Sequence, residues 1–254
     1  MKILGIIPAR YASSRFPGKP LADICGKPMI LRVCERAEMS KSLNAVIVAT
    51  DDERIFDCVK RSGRIAVMTG SNLPNGTARC EEALRLYGED FDAVINIQGD
   101  EPMLDPLMID ETAGLLEEDY CATLCRELHD DVSNPNIVKV VMTRNGYAMY
   151  FSRSLIPFNR SQKENVRIYQ HIGIYGYSAE FLRKYVRMND TPLSMAESLE
   201  QLKILENGYR IRIKVTASEA QNIGVDTPED LEKVNVVSNP TSKDGGLKKK
   251  ALAD

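Results

Sequence analysis

The chain contains no tryptophan and only two histidines, His129 and His171. Its six cysteines, Cys25, Cys34, Cys58, Cys80, Cys121 and Cys125, form no CxxC pair and have too little imidazole nearby to complete a zinc site. They read as structural thiols. A basic surplus is also missing: the formal net charge is −3, which argues against a general nucleic-acid binder. The longest apolar runs, Ile3 to Pro8 and Ala45 to Ala49, fall far short of the ~20 residues needed to cross a bilayer. The opening run ends at a proline and is too short for a signal peptide, so a cytoplasmic location without membrane contact is expected. No GxGxxG follows the first apolar run, which sets aside a Rossmann dehydrogenase. No GxxxxGK[ST] occurs, which disfavours kinase-type phosphate cradling.

What the chain does have is alternation. Strand-like runs at Ile3–Pro8, Ala45–Thr50, Ile65–Met68 and Ala93–Ile97 are separated by stretches of helical periodicity at Pro28–Met39, Asp52–Arg61 and Thr77–Tyr87. This order predicts an α/β fold in which parallel strands are joined by helices. The second half is more mixed. Strands are expected at Ala122–Arg126, Val138–Met142, Ala148–Ser152, Gly173–Gly176 and Ile211–Val215, with some antiparallel pairing. Helices are expected at Ala179–Val186 and Ser194–Asn207, and a last one opens at Thr227-Pro228, with Thr as cap and Pro in the first turn. Residues 1–237 read as one domain and 238–254, rich in Ser, Asn, Gly and Lys, as a mobile tail.

Strand ends in such sheets face a common ligand crevice. The first strand empties into Pro8-Ala9-Arg10-Tyr11-Ala12-Ser13-Ser14-Arg15-Phe16-Pro17-Gly18-Lys19-Pro20, with three fixed cations and two hydroxyls. Arg10 and Arg15 can fork onto phosphate oxygens, and Lys19 can act as a compact point charge. At the end of the fourth strand stands Gln98-Gly99-Asp100-Glu101-Pro102, where Asp100 could hold Mg²⁺ against phosphate oxygens or could merely terminate a turn. Asp226, in Gly224-Val225-Asp226-Thr227-Pro228-Glu229-Asp230-Leu231, could be a helix cap. Strand alternation puts His171, Gly173 and Tyr175 on one face. His171 alone is as readily a satisfied core histidine as a ligand. A helix through Glu197–Leu202 would present Glu200 and Gln201, whose carboxylate and amide suit sugar hydroxyls.

Ile7-Pro8-Ala9-Arg10 with Ser14-Arg15-Phe16-Pro17-Gly18-Lys19-Pro20-Leu21, the Gln98 to Pro102 string and the Val225 to Leu231 string together resemble the CMP-Kdo synthetases (3-deoxy-manno-octulosonate cytidylyltransferases). So do Gln170 to Tyr177 and Tyr150 to Arg160, so that the resemblance runs from Ile7 to Leu231. It implies a Rossmann-like nucleotidyltransferase core, mainly 1–120 and 210–237, and a smaller mixed α/β sugar-binding and dimerisation lobe at about 121–209. It implies transfer of CMP from CTP to the anomeric hydroxyl of a 3-deoxy-2-ulosonic acid, with Mg²⁺ as cofactor, in a homodimer serving lipopolysaccharide or capsule biosynthesis. The residues it assigns to the nucleotide are Ala9, Arg10, Ser14, Arg15, Lys19, Gly76 and Arg79. Those it assigns to the sugar acid are Gln98, Arg160, His171, Tyr175, Glu200 and Gln201. Lys19, Asp100 and Asp226 would be catalytic, the two aspartates as metal ligands. Where the family usually reads His-x-Ser-Gly-Thr-(Glu or Asp)-Arg, this chain reads Leu73-Pro74-Asn75-Gly76-Thr77-Ala78-Arg79, and Gln170 replaces a usual cation. These departures leave nucleotidyl transfer intact but leave open a nonulosonic acid of the Kdn or sialic type as acceptor; the alternative from a different class, an impaired nucleotide-binding paralogue, is counted against by intact Lys19, Asp100 and Asp226.

Overall fold

The computed structural model describes residues 1–12, 16–161, 166–220 and 223–238. Chain order runs β1 (Ile3–Ala9), a 3₁₀ turn (Lys19–Leu21), the small hairpin β2 (Asp23–Ile24) and β3 (Lys27–Pro28), α1 (Met29–Glu38), β4 (Ala45–Thr50) and α2 (Glu53–Arg61). It continues through β5 (Ile65–Met68), α3 (Gly76–Tyr87), β6 (Ala93–Asn96), α4 (Pro106–Leu115), β7 (Cys121–Leu128), β8 (Lys139–Met142), β9 (Ala148–Ser152) and β10 (Ile168–Ser178). Then come α5 (Ala179–Tyr185), α6 (Pro192–Glu197), α7 (Leu202–Glu206), β11 (Arg212–Val215) and α8 (Pro228–Ser238).

Among the described residues nine strands make one sheet in the order β11-β7-β10-β6-β1-β4-β5, with β8 on β10 and β9 on β8. β1 pairs in parallel with β4 and β6, and β4 with β5, as the alternation predicts. β10 runs antiparallel to β6, β7 and β8, which realises the mixed pairing expected of the second half. The physical driver is burial on both faces. Leu4 and Ile6 of β1 pack on one side among α3 and α5 residues such as Cys80, Ala83, Phe181 and Leu182. Ile3 and Ile7 pack on the other side with Ile30 and Val33 of α1, Ile55 and Val59 of α2 and Met108 and Ile109 of α4. Alternate residues of one strand thus serve opposite layers, and each such apolar side chain contributes roughly 1.5–3 kcal/mol of burial.

Three expectations need correction. The helix α4 was not foreseen; its signal is local, since Asp105 caps it through a bond from the Leu107 amide (3.1 Å) and Pro106 takes the first position. The strand around Gly173–Gly176 is longer, Ile168–Ser178, with a register shift between Ile172 and Tyr175. The single helix expected over Ser194–Asn207 is two short helices broken at Ser198, whose φ of 51° is left-handed. Ser238 closes α8, and the rest of the proposed tail, 239–254, lies outside the described residues.

Candidate active site

The site is assembled where β1 and β6 end. Past β1 the chain is pinched shut by the Gly18 amide donating to the Tyr11 carbonyl (2.9 Å). Gly18 has φ 73° and its missing side chain would lie 3.0 Å from the Tyr11 ring, so both conformation and space call for glycine. Ser14 and Arg15 lie outside the described residues. The pinch delivers the 3₁₀ turn and sets Lys19, whose ammonium bonds Asp100 Oδ2 at 2.8 Å and Asp226 Oδ1 at 3.3 Å. Two carboxylates far apart in sequence therefore converge on one cation.

Gly99 permits that convergence, because a Cβ there would sit 2.8 Å from the Pro8 carbonyl oxygen. Any larger residue would push the two strand exits apart. The backbone adds a second tie: the Val225 amide donates to the Asp100 carbonyl (2.8 Å), so the segment bearing Asp226 is fastened to the residue it faces. Asp226 is not the cap of α8. Thr227 is, since its hydroxyl accepts from the Asp230 amide (3.3 Å) and donates to the Asp230 carboxylate (3.1 Å). Asp100 likewise caps nothing; Asp105 caps α4. The segment before Asp226 is tethered as well. Glu111 of α4 accepts from the Thr216 hydroxyl (2.5 Å) and the Ala217 amide (3.1 Å), and Arg126 donates to the Ala220 carbonyl (3.0 Å). Next to Asp100, burial and that neighbouring negative charge push Glu101 up to about 7, with Arg126 opposing.

Two adjoining cavities open from this point. The first, about 310 Å³, is lined by Ala9, Arg10, Lys19, Leu73, Asn75, Gly76, Arg79, Gln98, Asp100, Glu200 and Asp226 among others. Its polar wall starts at α3, where the Asn75 side chain caps the helix by accepting from the Ala78 amide (2.8 Å). Arg79 is buried and fixed by Thr69 (2.5 Å) and Asp51 (3.2 Å). The second, about 270 Å³, is lined by Thr77, Asn96, Gln98, His171, Gly173, Tyr175, Glu200 and Gln201 among others. His171, Gly173 and Tyr175 share it although β10 changes register between Ile172 and Tyr175. His171 is also held by Thr123 Oγ1 (3.0 Å), and burial drives its pKa down to about 3, so its ring is neutral. Burial raises Glu200, and raises Tyr175 well above its usual range, leaving a phenol that donates.

Glu200 and Gln201 reach the cavity from the break between α6 and α7, not from a continuous helix. Pro192 opens α6, and the left-handed Ser198 turns the chain so that the Leu199 amide returns to the Ser194 carbonyl (3.0 Å). Arg160 is exposed, and it lines neither cavity. Of the four departures, Leu73 and Asn75 line the first cavity, whereas Ala78 and Gln170 line neither. Asn96 and Thr77 are lining residues that motif reading passed over. For Asn96 a signal was available at the end of β6, since it and Gln98 just beyond are two apart and share a face of the extended run.

A doubly wound sheet with a cation clamping two carboxylates at its strand ends defines a nucleotidyltransferase of the α/β type. The family model described as cytidylyltransferase matches residues 4–213, and the chain belongs to that family and, within it, to the 3-deoxy-manno-octulosonate cytidylyltransferases. It is 48% identical over 246 residues to the 3-deoxy-manno-octulosonate cytidylyltransferase of Parabacteroides distasonis, covering 92% of this chain and 96% of that one. It is 46% identical over 239 residues to the mitochondrial 3-deoxy-manno-octulosonate cytidylyltransferase of Arabidopsis thaliana, covering 92% and 82%. A solved structure of CMP:2-keto-3-deoxy-manno-octonic acid synthetase complexed with CTP superposes with a TM-score of 0.88 at 41% identity, over 93% of this chain and 98% of that one.

Proposed function

We propose that this protein transfers CMP from CTP to the anomeric hydroxyl of 3-deoxy-manno-octulosonate, releasing pyrophosphate, for lipopolysaccharide or capsule assembly. The observation that carries the reading is the meeting of two polar cavities at one cation-bridged carboxylate pair, with Gln98 and Glu200 lining both. In this reading the first cavity takes the nucleotide. Arg10 and Lys19 neutralise its phosphates, and the buried Arg79 with Gly76 at the start of α3 bounds the site of the cytosine base. The second cavity takes the sugar acid. Binding both substrates at one strand end turns a bimolecular encounter into a positioned in-line attack.

Mg²⁺ fits the donor set. Asp100 and Asp226 supply hard oxygens that already converge on a cation, and Mg²⁺ typically takes one or two carboxylates together with phosphate oxygens and water. Among the described residues no cluster of three or more His, Cys, Asp or Glu forms a cage of its own, which accords with a shared site. When bound there, the ion would offset phosphate charge and lower the pKa of the acceptor hydroxyl.

We further propose a homodimer, supported by the exposed apolar side chains of Met149, Leu155, Phe158 and Met195. A cytoplasmic setting is supported by six cysteines that are all free thiols. No described helix is long and apolar enough to cross a membrane.

The test is pyrophosphate release by the purified protein with CTP and each of Kdo, Kdn and N-acetylneuraminate. Kdo should be used with the highest kcat/KM. A higher kcat/KM with either nonulosonic acid would replace the acceptor, and no release with any of them would favour the impaired paralogue.

A further inference from the structure

Besides the two cores on the faces of the sheet, a third and smaller one gathers Ile24, Met29, Val225 and Val234, with Phe16, Met103 and Leu231 packed against them. Phe16 stands three residues before Lys19, Met103 three after Asp100 and Val225 directly before Asp226. Each segment that brings a charge to the clamp therefore sends an apolar side chain into the same small core. The β2–β3 hairpin closes that core from one side through Ile24, and α8 closes it from the other through Val234.

The hairpin is too small to hold its own shape. Its strands are two residues each, and its turn at Cys25-Gly26 keeps both residues left-handed, at φ 48° and 80°. It is gripped from two directions instead. Arg32 of α1 donates to the Ile24 carbonyl (2.9 Å) and the Cys25 carbonyl (3.1 Å). Asn235 of α8 takes other groups of the same turn: its side-chain oxygen accepts from the Cys25 amide (2.9 Å), and its amide donates to the Asp23 carbonyl (3.3 Å). Leu231, Val234 and Asn235 are three and four apart on one face of α8, so a single helix surface supplies both the apolar cover and the polar bonds.

We propose that Asn235 is a positioning residue for the nucleotide phosphates: by fastening α8 to the hairpin it holds the small core shut, and that core holds Lys19, Asp100 and Asp226 at their meeting point. This rests on the reading that those three residues serve CTP. The route from Asn235 is short. The hairpin follows the 3₁₀ turn directly, with the Ala22 amide on the Lys19 carbonyl (3.0 Å) and the Met29 amide on the Ala22 carbonyl (2.8 Å), so a displaced hairpin displaces Lys19. At the other end Val225 shares the core with Val234, and its neighbour in the chain is Asp226. Because the third core is separate from the two that hold the sheet, it can open locally while the sheet stays folded.

The experiment measures the CTP dissociation constant by calorimetry in the presence of Mg²⁺ for wild type, Asn235→Ala and Asn235→Asp, with amide hydrogen exchange at the hairpin and pyrophosphate-release kinetics read alongside. Alanine is a better helix former than asparagine, so Asn235→Ala does not weaken α8 itself. We expect Asn235→Ala to weaken CTP about 3- to 10-fold, the effect of losing hydrogen bonds of ordinary strength, and to speed exchange of the Cys25 amide. The KM for Kdo and the melting temperature should stay close to wild type. Asn235→Asp keeps the oxygen that accepts from the Cys25 amide and should bind CTP more tightly than Asn235→Ala. Faster exchange with unaltered CTP affinity would show that the latch positions nothing, and overturns the proposal. Weaker affinity with unaltered exchange overturns it as well, since the loss would not pass through the hairpin, and so does an Asn235→Asp no better than Asn235→Ala. Wild type that binds no CTP brings down the nucleotide reading and this assignment with it; wild type that binds CTP beside variants of equal affinity brings down only the assignment.

Discussion

At Lys19 the balance between stability and function can be settled by exposure. Its side chain is 13% exposed, but Asp100 and Asp226 are 36% and 49% exposed, so water screens the pair and its contribution to folding is small. Lys19→Met should leave the melting temperature nearly unchanged. It should weaken CTP by the loss of a charge-assisted contact, roughly 1.5–3 kcal/mol, and cut turnover by orders of magnitude. Calorimetric titration with CTP, run beside steady-state kinetics, checks this; wild-type affinity and rate would move the phosphate site elsewhere. His171 behaves in the opposite way. Its folded pKa of about 3 lies below the ordinary 6.5, so the unfolded chain binds the extra proton first as pH falls. Its contribution to stability is complete above pH 6.5 and is lost between there and about 3, by about 1.4 kcal/mol per pH unit from this group. Denaturant midpoints of His171→Asn should therefore fall less steeply over that interval than those of wild type. Lys19, Asp100, Asp226 and His171 were all legible as residues. The convergence of Lys19, Asp100 and Asp226 was legible too, since strand ends share a crevice; the close contact of the β1 and β6 exits was not, because it depends on Gly99 lying against the Pro8 carbonyl.

Among the secondary-structure elements, α3 and the α6–α7 break carry most of the site. Asn75 stands where the family pattern of the resemblance reads Ser, and its bond to the Ala78 amide shows a helix-capping task that a Ser side chain could also perform. Asn75→Ser should hold the melting temperature, whereas Asn75→Ala should cost about 1 kcal/mol, or about 2–4 °C in a chain of this size. Thermal denaturation of the two variants separates them. Ser198 sits at φ 51°, which glycine adopts freely and a β-branched residue resists at about 1–3 kcal/mol. Ser198→Gly should retain activity. Ser198→Ile should raise the acceptor KM several-fold and the CTP KM by less, since Gln201 lines only the second cavity while Glu200 lines both; equal kinetics in both variants would show that the turn positions nothing. The parallel half of the sheet was readable from periodicity because each strand is apolar on both faces. The break was not, since Ser194 to Asn207 holds enough apolar residues at helical spacing to pass for one helix. Only the tertiary burial of Leu199 and Leu202 decides against it.

Across the whole molecule, one uninterrupted sheet of nine strands runs beneath both cavities, and β11 and the stretch after it are tied back to α4 and β7 by Glu111 and Arg126. The walls of both cavities are therefore built on one sheet. β6 and its exit belong to both: Asn96 is in the second cavity, Gln98 in both and Asp100 in the first. The amide of Gln98 is moored to the Gly173 carbonyl of β10 at 2.9 Å, so this stretch cannot slide. In the proposed reading it acts as a covalent ruler, and the spacing between donor and acceptor is written into the count of peptide bonds from Asn96 to Asp100. Lengthening it by one residue after Ile97 should leave CTP bound at near its normal affinity in calorimetry and yet abolish transfer. Evolution can widen or reshape either cavity freely, but the distance between them has no adjustment short of an insertion or deletion, which alters it by a whole residue at a time.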